Sequence, residues 1–215
     1  MSHIHDERMQ RFRKAGVYLV TSGNMSSGRS TLEILRSAID GGIRLVQLRE
    51  KELLPEEFMK LAIEARRLTA DAGALLIIND WLDIAQAVGA DGVHLGQNDF
   101  SVKEARKLAP DMIIGASTHS VEEALQAQDD GASYVNIGPL FSTKTKEWSA
   151  EFLGMAGLKK ISSVVRVPFT VMGGIKKKHI QELRAAGVRI VAVVTEITAA
   201  ENPEQAARDL LSLMS

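Results

Sequence analysis

The sequence has 215 residues, of which 45% are hydrophobic and 25% are charged, and its formal net charge is -1 at pH 7. This length and composition predict one globular domain with a sizeable core and argue against disorder. Because the chain contains no cysteine, disulfides, thiolate nucleophiles and zinc–thiolate sites are excluded. The basic residues form no dominant block, so no nucleic-acid partner is expected.

No apolar run approaches the roughly 20 residues that a membrane-spanning helix needs, so no membrane association is expected. The segment Met1–Lys14 carries both charge signs and lacks an apolar stretch, which does not fit a secretory signal peptide. We therefore expect a cytoplasmic protein that acts on small molecules. A single domain is expected over residues 1–215, with residues 1–15 as an N-terminal helical extension.

Short apolar runs alternate with longer amphipathic stretches along the whole chain. Several runs are β-branched and apolar on both faces, which is typical of strands in a parallel sheet covered on both sides. Eight strands are predicted, over Val17–Thr21, Ile43–Leu48, Ala74–Asn79, Gly92–Leu95, Met112–Gly115, Tyr134–Ile137, Pro168–Met172 and Ile190–Val194.

The stretches between these runs have the spacing of amphipathic helices. Pro55, for example, suits a first helical turn and precedes a single apolar stripe. Helices are predicted over Thr31–Asp40, Pro55–Asp71, Val102–Leu108, Val121–Asp129, Lys177–Ala186 and Pro203–Leu213. Glycines that precede the next strand predict helix C-caps at Gly41–Gly42, Gly89, Gly131 and Gly187.

Eight βα units predict an α/β fold, a single closed (β/α)8 TIM barrel, although the chain is short against the roughly 250 residues typical of that fold. An open doubly wound sheet is the structural alternative. It normally carries a glycine-rich fingerprint after the first strand, and Thr21–Asn24 does not match one.

Polar residues cluster where the barrel strands end, which is where chemistry is found in this fold. Strand alternation places Gln47, Arg49 and Lys51 on one side, facing the barrel mouth. Two cations there are costly to desolvate unless an anion binds. Phosphate binding is one interpretation, and a solvated loop or an Arg49–Glu50 surface pair is the other.

Two carboxylates follow neighbouring strands, Asp80 after the third and Asp99 after the fourth. A partly hydrated Mg2+ takes one or two carboxylates, with water and substrate phosphate completing its shell. Helix N-capping is the alternative role for each residue.

Hydroxyls, lysines and glycines follow the remaining strands. Ser117 and His119 are candidates for ligand contacts, whereas Ser120 and Glu123 predict a capping box. The long loop after strand six suits phosphate oxygens and could close over a substrate. Glycines after strand seven and a hydroxyl after strand eight match a frequent phosphate site of barrels. The run Lys176–Lys178 is interpreted as a solvated helix start.

Each of these motifs is short when taken alone. In their order along the chain, they resemble the motifs of the thiamine phosphate synthase family. They extend from about Tyr18 to Thr195. The matching segments are Tyr18–Thr21, Gln47–Lys51, Ile78–Asp80, Asp91–Gln97 with Asp99, Ser117–His119, Gly138–Phe141, Thr143–Lys146 and Gly173–Ile175.

The resemblance implies a transferase that couples 4-amino-2-methyl-5-hydroxymethylpyrimidine pyrophosphate with 4-methyl-5-(2-phosphoethyl)thiazole, by a dissociative Mg2+-assisted substitution. It implies pyrophosphate contacts from Gln47, Arg49, Lys51, Asn79 and Lys146. It implies Mg2+ ligands at Asp80 and Asp99, with Ser117 beside the pyrimidine and the leaving pyrophosphate.

The implied contacts to the thiazole phosphate are Thr143, Thr145, Gly174, Val194 and Thr195. The implied catalytic residues are Arg49, Lys51, Ser117 and Lys146. The chain departs from the family pattern at Glu196, where Ala is more usual and where a carboxylate facing the phosphate would repel it.

Three alternatives stay open at this point. A related thiazole tautomerase would use a histidine at the position of His119 for proton transfer. A non-catalytic paralogue would bind a thiamine precursor or product. A sugar-phosphate isomerase or aldolase would need a Schiff-base lysine or an inward carboxylate base, which the sequence does not identify. A homodimer is expected only because barrels of this size are commonly dimeric.

Overall fold

A computed structural model describes residues 2–143 and 151–215, and in these ranges eight parallel strands close into a barrel in the order β1 to β8. The predicted (β/α)8 barrel is therefore confirmed. The strands are β1 Val17–Val20, β2 Leu45–Leu48, β3 Leu75–Asn79, β4 Gly92–Leu95, β5 Ile113–Thr118, β6 Tyr134–Ile137, β7 Phe169–Val171 and β8 Val191–Val193.

Helices surround the barrel, and most predicted ones are confirmed. The helices of the described ranges are α1 His3–Arg13, α2 Thr31–Asp40, α3 Pro55–Asp71, α4 Leu82–Ala87, α5 Val102–Leu108, α6 Val121–Asp129, α7 Gly154–Ser162, α8 Ile180–Ala185, α9 Thr195–Thr198 and α10 Pro203–Met214. Two 3-10 helices lie at Gly23–Met25 and Lys177–His179. Gly42, Gly89, Gly131 and Gly187 all take a positive φ, as C-caps do.

Three helices were not predicted from the sequence, and the reason can be identified for each. Helices α4 and α9 have only 6 and 4 residues, which is too short to show a helical period. Helix α7 begins at Gly154 and contains Gly157, and glycine disfavours a helix interior. The predicted helix Lys177–Ala186 also differs, because its first turn is a 3-10 helix and α8 begins at Ile180.

Strand β5 continues three residues beyond its predicted end at Gly115. Ser117 pairs with Asn136, and Thr118 pairs with Ile137 on β6. Polar residues at an inward-facing strand end look like a loop in sequence, which is why the prediction was wrong. The extension places Ser117 on the barrel wall, where its backbone is fixed by its neighbour strand.

The barrel interior is closed at the amino ends of its strands by α1. Phe12 is fully buried, and its ring centroid lies 4.5 Å from that of Tyr134 and 6.4 Å from that of Tyr18. Gly115 makes room for this cluster, because a Cβ there would lie 2.2 Å from Cζ of Tyr134. A cavity can therefore form at the opposite end of the barrel, between the carboxyl ends of the strands and the loops that follow them.

Polar contacts fasten α1 to the barrel. Arg8 Nε lies 3.4 Å from the buried Asp91 carboxylate, which Arg66 also contacts at 2.8 Å. His5 Nε2 lies 2.9 Å from the Ser133 hydroxyl. Within the ranges described, no helix is both long enough and apolar enough to cross a membrane.

The contact between His5 and Ser133 has a defined polarity. Ser133 Oγ accepts hydrogen bonds from the Ile114 N–H and from Arg106, so its own proton goes to His5 Nε2. A protonated ring would bring an N–H against that proton. Burial, with a smaller contribution from the charge of Arg106, lowers the pKa of His5 below its ordinary value of 6.5.

We expect the free energy of unfolding to fall as the pH falls below 6.5, because the unfolded chain binds the His5 proton more tightly than the folded chain does. His5→Gln keeps an acceptor for Ser133 but does not titrate. Urea unfolding at pH 7 and pH 5 should therefore show a smaller loss of stability in His5→Gln than in the parent chain. The exposed His3 on the same helix supplies the control, His3→Gln. Equal pH dependence in all three proteins would contradict the assignment.

Candidate active site

One cavity opens at the carboxyl ends of the strands and collects polar side chains from around the barrel. The predicted site residues that line it are Gln47, Arg49, Lys51, Asn79, Asp80, Asp99, Ser117, Thr143, Gly174, Val194 and Thr195, and His119 lines it as well. Thr145 and Lys146 lie outside the described residues. The cavity also contains His94, Asn136, Lys176 and Glu196, to which the sequence alone assigned no ligand role.

Cations line one side of the cavity. Arg49 is held by its backbone, whose N–H donates to the Thr21 hydroxyl at 2.9 Å. Burial lowers the pKa of the Arg49 guanidinium, against the opposing charges of Asp80 and Glu50. The alternative of a surface pair with Glu50 is wrong, because the Glu50 carboxylate accepts from the Gly23 N–H and the Thr31 hydroxyl, both at 2.7 Å. A partly buried guanidinium that faces a cavity favours an anionic ligand.

The two predicted metal ligands lie beside these cations. Lys51 forms an ion pair with Asp80, and Asp99 accepts a hydrogen bond from the Gly96 N–H at 2.7 Å. Asp80 has a φ of 64°, a left-handed conformation that is costly for a residue with a Cβ. The N-capping alternative is wrong for both carboxylates, since α4 and α5 begin after Trp81 and Ser101 without a side-chain cap.

The titration of Asp80 and Asp99 reflects their proximity. Burial and the neighbouring Asp99 carboxyl raise the pKa of Asp80, although Lys51 opposes the shift. Burial also acts to raise the pKa of Asp99, but hydrogen bonds from Asp80 and the Gly96 N–H outweigh it and leave that pKa lowered. Two adjacent carboxylates that resist simultaneous ionisation are suited to a shared cation. In the described residues no group of three or more His, Asp or Glu side chains forms a metal cluster.

Ser117 stands at the end of a buried hydrogen-bonded row. His94 Nε2 lies 2.9 Å from Ser117 Oγ, and His94 Nδ1 lies 2.9 Å from the Tyr134 hydroxyl. Burial lowers the pKa of His94 to about 4, so its ring is neutral near pH 7. The sequence does contain a signal for His94, because it is the one polar residue of the otherwise apolar strand β4. No role was assigned to it, since its neighbours on both sides are apolar.

His119 is oriented by α6. Its Nδ1 lies 2.8 Å from Glu123 Oε2, and its backbone N–H donates to the same oxygen at 2.7 Å. The predicted capping box is half right: Ser120 Oγ accepts from the Glu123 N–H, but the Glu123 carboxylate bonds to His119 and not to Ser120. The ring of His119 offers Glu123 a second donor, which explains the preference.

The glycines after β7 serve close packing between two loops. Leu140 and Phe141 donate backbone hydrogen bonds to the carbonyls of Met172 and Gly173 at 2.9 and 3.0 Å. A Cβ on Gly174 would lie 2.2 Å from the carbonyl oxygen of Ser142. The backbone around Thr143 is thereby held against the loop after β7.

Glu196 has a partner that the sequence did not reveal. Its carboxylate lies 2.9 Å from Lys176 Nζ and accepts from the Lys177 N–H at 3.2 Å. The lysine run is an exposed helix start, as predicted, because Lys176–Lys178 are exposed and a 3-10 helix begins at Lys177. Lys176 lines the cavity in addition. Lys177 instead pairs with Asp209 at 2.6 Å.

The fold and the cavity together define a (β/α)8 barrel whose mouth suits a phosphorylated ligand together with a divalent cation. Residues 17–197 match the family model described as thiamine monophosphate synthase, and the chain belongs to that family. The resemblance inferred from the motifs is confirmed.

Relatives and solved structures agree with this membership. A thiamine-phosphate synthase from Chloroflexus aurantiacus is 41% identical over 215 residues, covering 100% of this chain and 96% of its own. One from Caldicellulosiruptor saccharolyticus is 37% identical, covering 100% and 97%. The structure of a thiamine phosphate pyrophosphorylase from Pyrococcus furiosus superposes with a TM-score of 0.86 at 34% identity, covering 94% of this chain and 97% of that one.

The packing at Gly174 predicts a large stability difference between two glycine substitutions. Gly174 and Gly187 have φ values of 62° and 89°, but a Cβ at Gly187 would meet nothing within 4 Å. Gly187→Ala should cost about 1–2 kcal/mol, the penalty for the left-handed conformation. Gly174→Ala should cost about 1–3 kcal/mol more, because the Cβ also collides with the loop after β6. Denaturant unfolding of both variants measures this difference, and equal losses would contradict the close approach.

Proposed function

We propose that this chain is a thiamine phosphate synthase, the activity named for its relatives. The C–O bond between the pyrimidine methylene carbon and the pyrophosphate breaks, and a C–N bond to the thiazole nitrogen forms. The products are thiamine phosphate and pyrophosphate. The observation that carries the proposal is the meeting of Arg49 and Lys51 with Asp80 and Asp99 in one cavity, in a chain that aligns along its full length with synthases.

Asp80 and Asp99 would hold Mg2+, which supplies positive charge for the pyrophosphate oxygens when it is bound. The chemistry of the donor set supports this assignment, since hard oxygen ligands suit Mg2+. The raised pKa of Asp80 supports it too, because burial and the neighbouring Asp99 carboxyl both disfavour its ionised form when no cation is bound.

Charge neutralisation of the leaving group is the main task assigned to the protein. Negative charge on the pyrophosphate grows as the C–O bond breaks, so donors aimed at its oxygens stabilise the transition state more than the ground state. We assign this role to Arg49 and Lys51, with Gln47 and Asn79 as further contacts. Lys146 is proposed for the same role from the family resemblance. No general base is assigned, because the thiazole nitrogen attacks with its own lone pair.

The thiazole phosphate is assigned to the part of the cavity wall that follows β6, β7 and β8, which includes Thr143, Gly174, Val194 and Thr195. Thr145 is proposed with them from the resemblance. The pairing of Glu196 with Lys176 supports this assignment, since the carboxylate is neutralised and does not stand as an isolated negative charge.

The tautomerase alternative would depend on His119. The carboxylates and cations that line the cavity favour the synthase, because a tautomerase has no pyrophosphate to neutralise. The non-catalytic alternative depended on Glu196 as a carboxylate that would repel the phosphate. The pairing of Glu196 with Lys176 weakens that argument.

The activity is tested by incubating the protein with the pyrimidine pyrophosphate, the thiazole phosphate and Mg2+. Thiamine phosphate and pyrophosphate should appear in equal amounts, and EDTA should abolish both. Arg49→Met should lower kcat by about 10²–10³-fold, since it removes one charged transition-state contact. Arg44→Met, an exposed arginine near the start of the same strand, is the matched control and should retain kcat. Binding of both substrates without product would refute the proposal.

The pair at the thiazole end makes a separate prediction about affinity. Glu196→Gln should lower the KM for the thiazole phosphate, because Lys176 then adds an uncompensated positive charge to the cavity wall. Lys176→Met should raise that KM. Each change should amount to about 1 kcal/mol or less, roughly fivefold, since the lysine is partly solvated. Lys178→Met, an exposed neighbour that does not line the cavity, is the control. Unchanged KM in both test variants would place the phosphate elsewhere.

A further inference from the structure

A continuous row of hydrogen bonds crosses the barrel interior from Gln47 to Ser117. Gln47 Nε2 lies 2.9 Å from the Tyr18 hydroxyl, which lies 2.9 Å from the Tyr134 hydroxyl. The row continues from Tyr134 to His94 Nδ1 and from His94 Nε2 to Ser117 Oγ, again at 2.9 Å each. Its interior members are almost wholly excluded from solvent, with exposures of 1% for Tyr18, 0% for Tyr134 and 5% for His94.

The row has a direction because Gln47 meets the Tyr18 hydroxyl through its amide nitrogen, and that atom can only donate. The amide nitrogen of Gln47 carries protons and no acceptor, so the Tyr18 oxygen accepts from it. The Tyr18 proton then goes to the Tyr134 oxygen, and the Tyr134 proton goes to His94 Nδ1. The reverse order would leave a buried hydroxyl proton without an acceptor, which is costly in a dry interior.

The direction determines which nitrogen of His94 carries the proton. Because Nδ1 accepts from Tyr134, the neutral ring bears its proton on Nε2 and donates it to Ser117 Oγ. The hydroxyl proton of Ser117 therefore cannot point back at His94. In the described ranges this hydroxyl is given no acceptor by the protein, and Ser117 faces the cavity.

We propose that His94, oriented by Tyr134 and Tyr18, is a positioning residue that presents the Ser117 hydroxyl to the ligand as a hydrogen-bond donor. The inference rests on the proposed function for the identity of that ligand. A donor selects an acceptor: a ring nitrogen of the pyrimidine or an oxygen of its pyrophosphate. If the acceptor gains negative charge as the C–O bond breaks, the bond strengthens in the transition state and contributes to kcat.

Nitrogen NMR tests the tautomer without reference to activity. Protein labelled with 15N in its five histidines is examined at pH 7, and the His94 signals are identified by their loss in His94→Gln. The expected result is a neutral ring protonated on Nε2. A ring protonated on Nδ1, or a doubly protonated ring, would overturn the proposal even if the protein proved to be an active synthase.

A second arm asks whether the row acts through Ser117. Tyr134→Phe removes the donor to His94 Nδ1, whereas Tyr18→Phe removes an equally buried hydroxyl but leaves the bond between Tyr134 and His94. Tyr134→Phe should lose the Nε2 tautomer, and Tyr18→Phe should keep it. Unfolding curves for both variants show the temperature range in which each is folded, and all measurements are made within it.

Kinetics in two backgrounds separate a positioning role from a structural one. Tyr134→Phe should lower kcat for the pyrimidine pyrophosphate and thiazole phosphate by about tenfold, a smaller loss than removal of a direct contact. In a Ser117→Ala background, Tyr134→Phe should have little further effect on kcat, because the hydroxyl that it orients is gone. An equal loss of kcat in both backgrounds would refute the proposal. If no turnover occurs at all, the proposed function fails, and the NMR result alone decides the tautomer.

Discussion

Two cations and two carboxylates line one cavity, and the balance among their charges constrains the structure around them. Lys51 pairs with Asp80, while Arg49 remains partly desolvated with carboxylates nearby. Under the proposed function, an anion and a cation enter this arrangement together. The left-handed backbone at Asp80 is a conformational cost that the surrounding barrel sustains. The absence of a Cβ at Gly174 allows the two neighbouring loops to pack closely.

The two ends of the barrel have different structural roles. At the amino ends of the strands, α1 seals the interior with Phe12 and is fastened through Arg8 and His5. At the carboxyl ends the interior stays polar and open. Tyr134 links the two ends, because its ring packs against Phe12 and its hydroxyl forms a hydrogen bond with His94. Ser117 at the cavity wall is thus connected, through buried groups alone, to the sealed end.

Much of this organisation could be predicted from the sequence because strands and helices have distinct periods. The apolar runs marked the strands, and one-sided polar residues after them marked the mouth. Asp80 and Asp99 were identifiable because carboxylates at strand ends are unusual. The pairing of Glu196 with Lys176 was not predictable, because it joins residues 20 positions apart (196 minus 176) whose proximity depends on how two loops fold. His94 was missed for a different reason: in sequence it is one polar residue within an apolar strand, and only the barrel shows that it faces Tyr134 and Ser117.

The central claim is that pyrophosphate and a divalent cation occupy the cavity as mutually dependent ligands. Calorimetric titration with inorganic pyrophosphate, in the presence and absence of Mg2+, tests it most directly. We expect each ligand to tighten the binding of the other by the same factor, as linkage requires. That coupling should disappear in Asp99→Asn and persist in Asp83→Asn, whose side chain is exposed on α4. Pyrophosphate binding that is indifferent to Mg2+, or coupling that survives the loss of Asp99, would contradict the account.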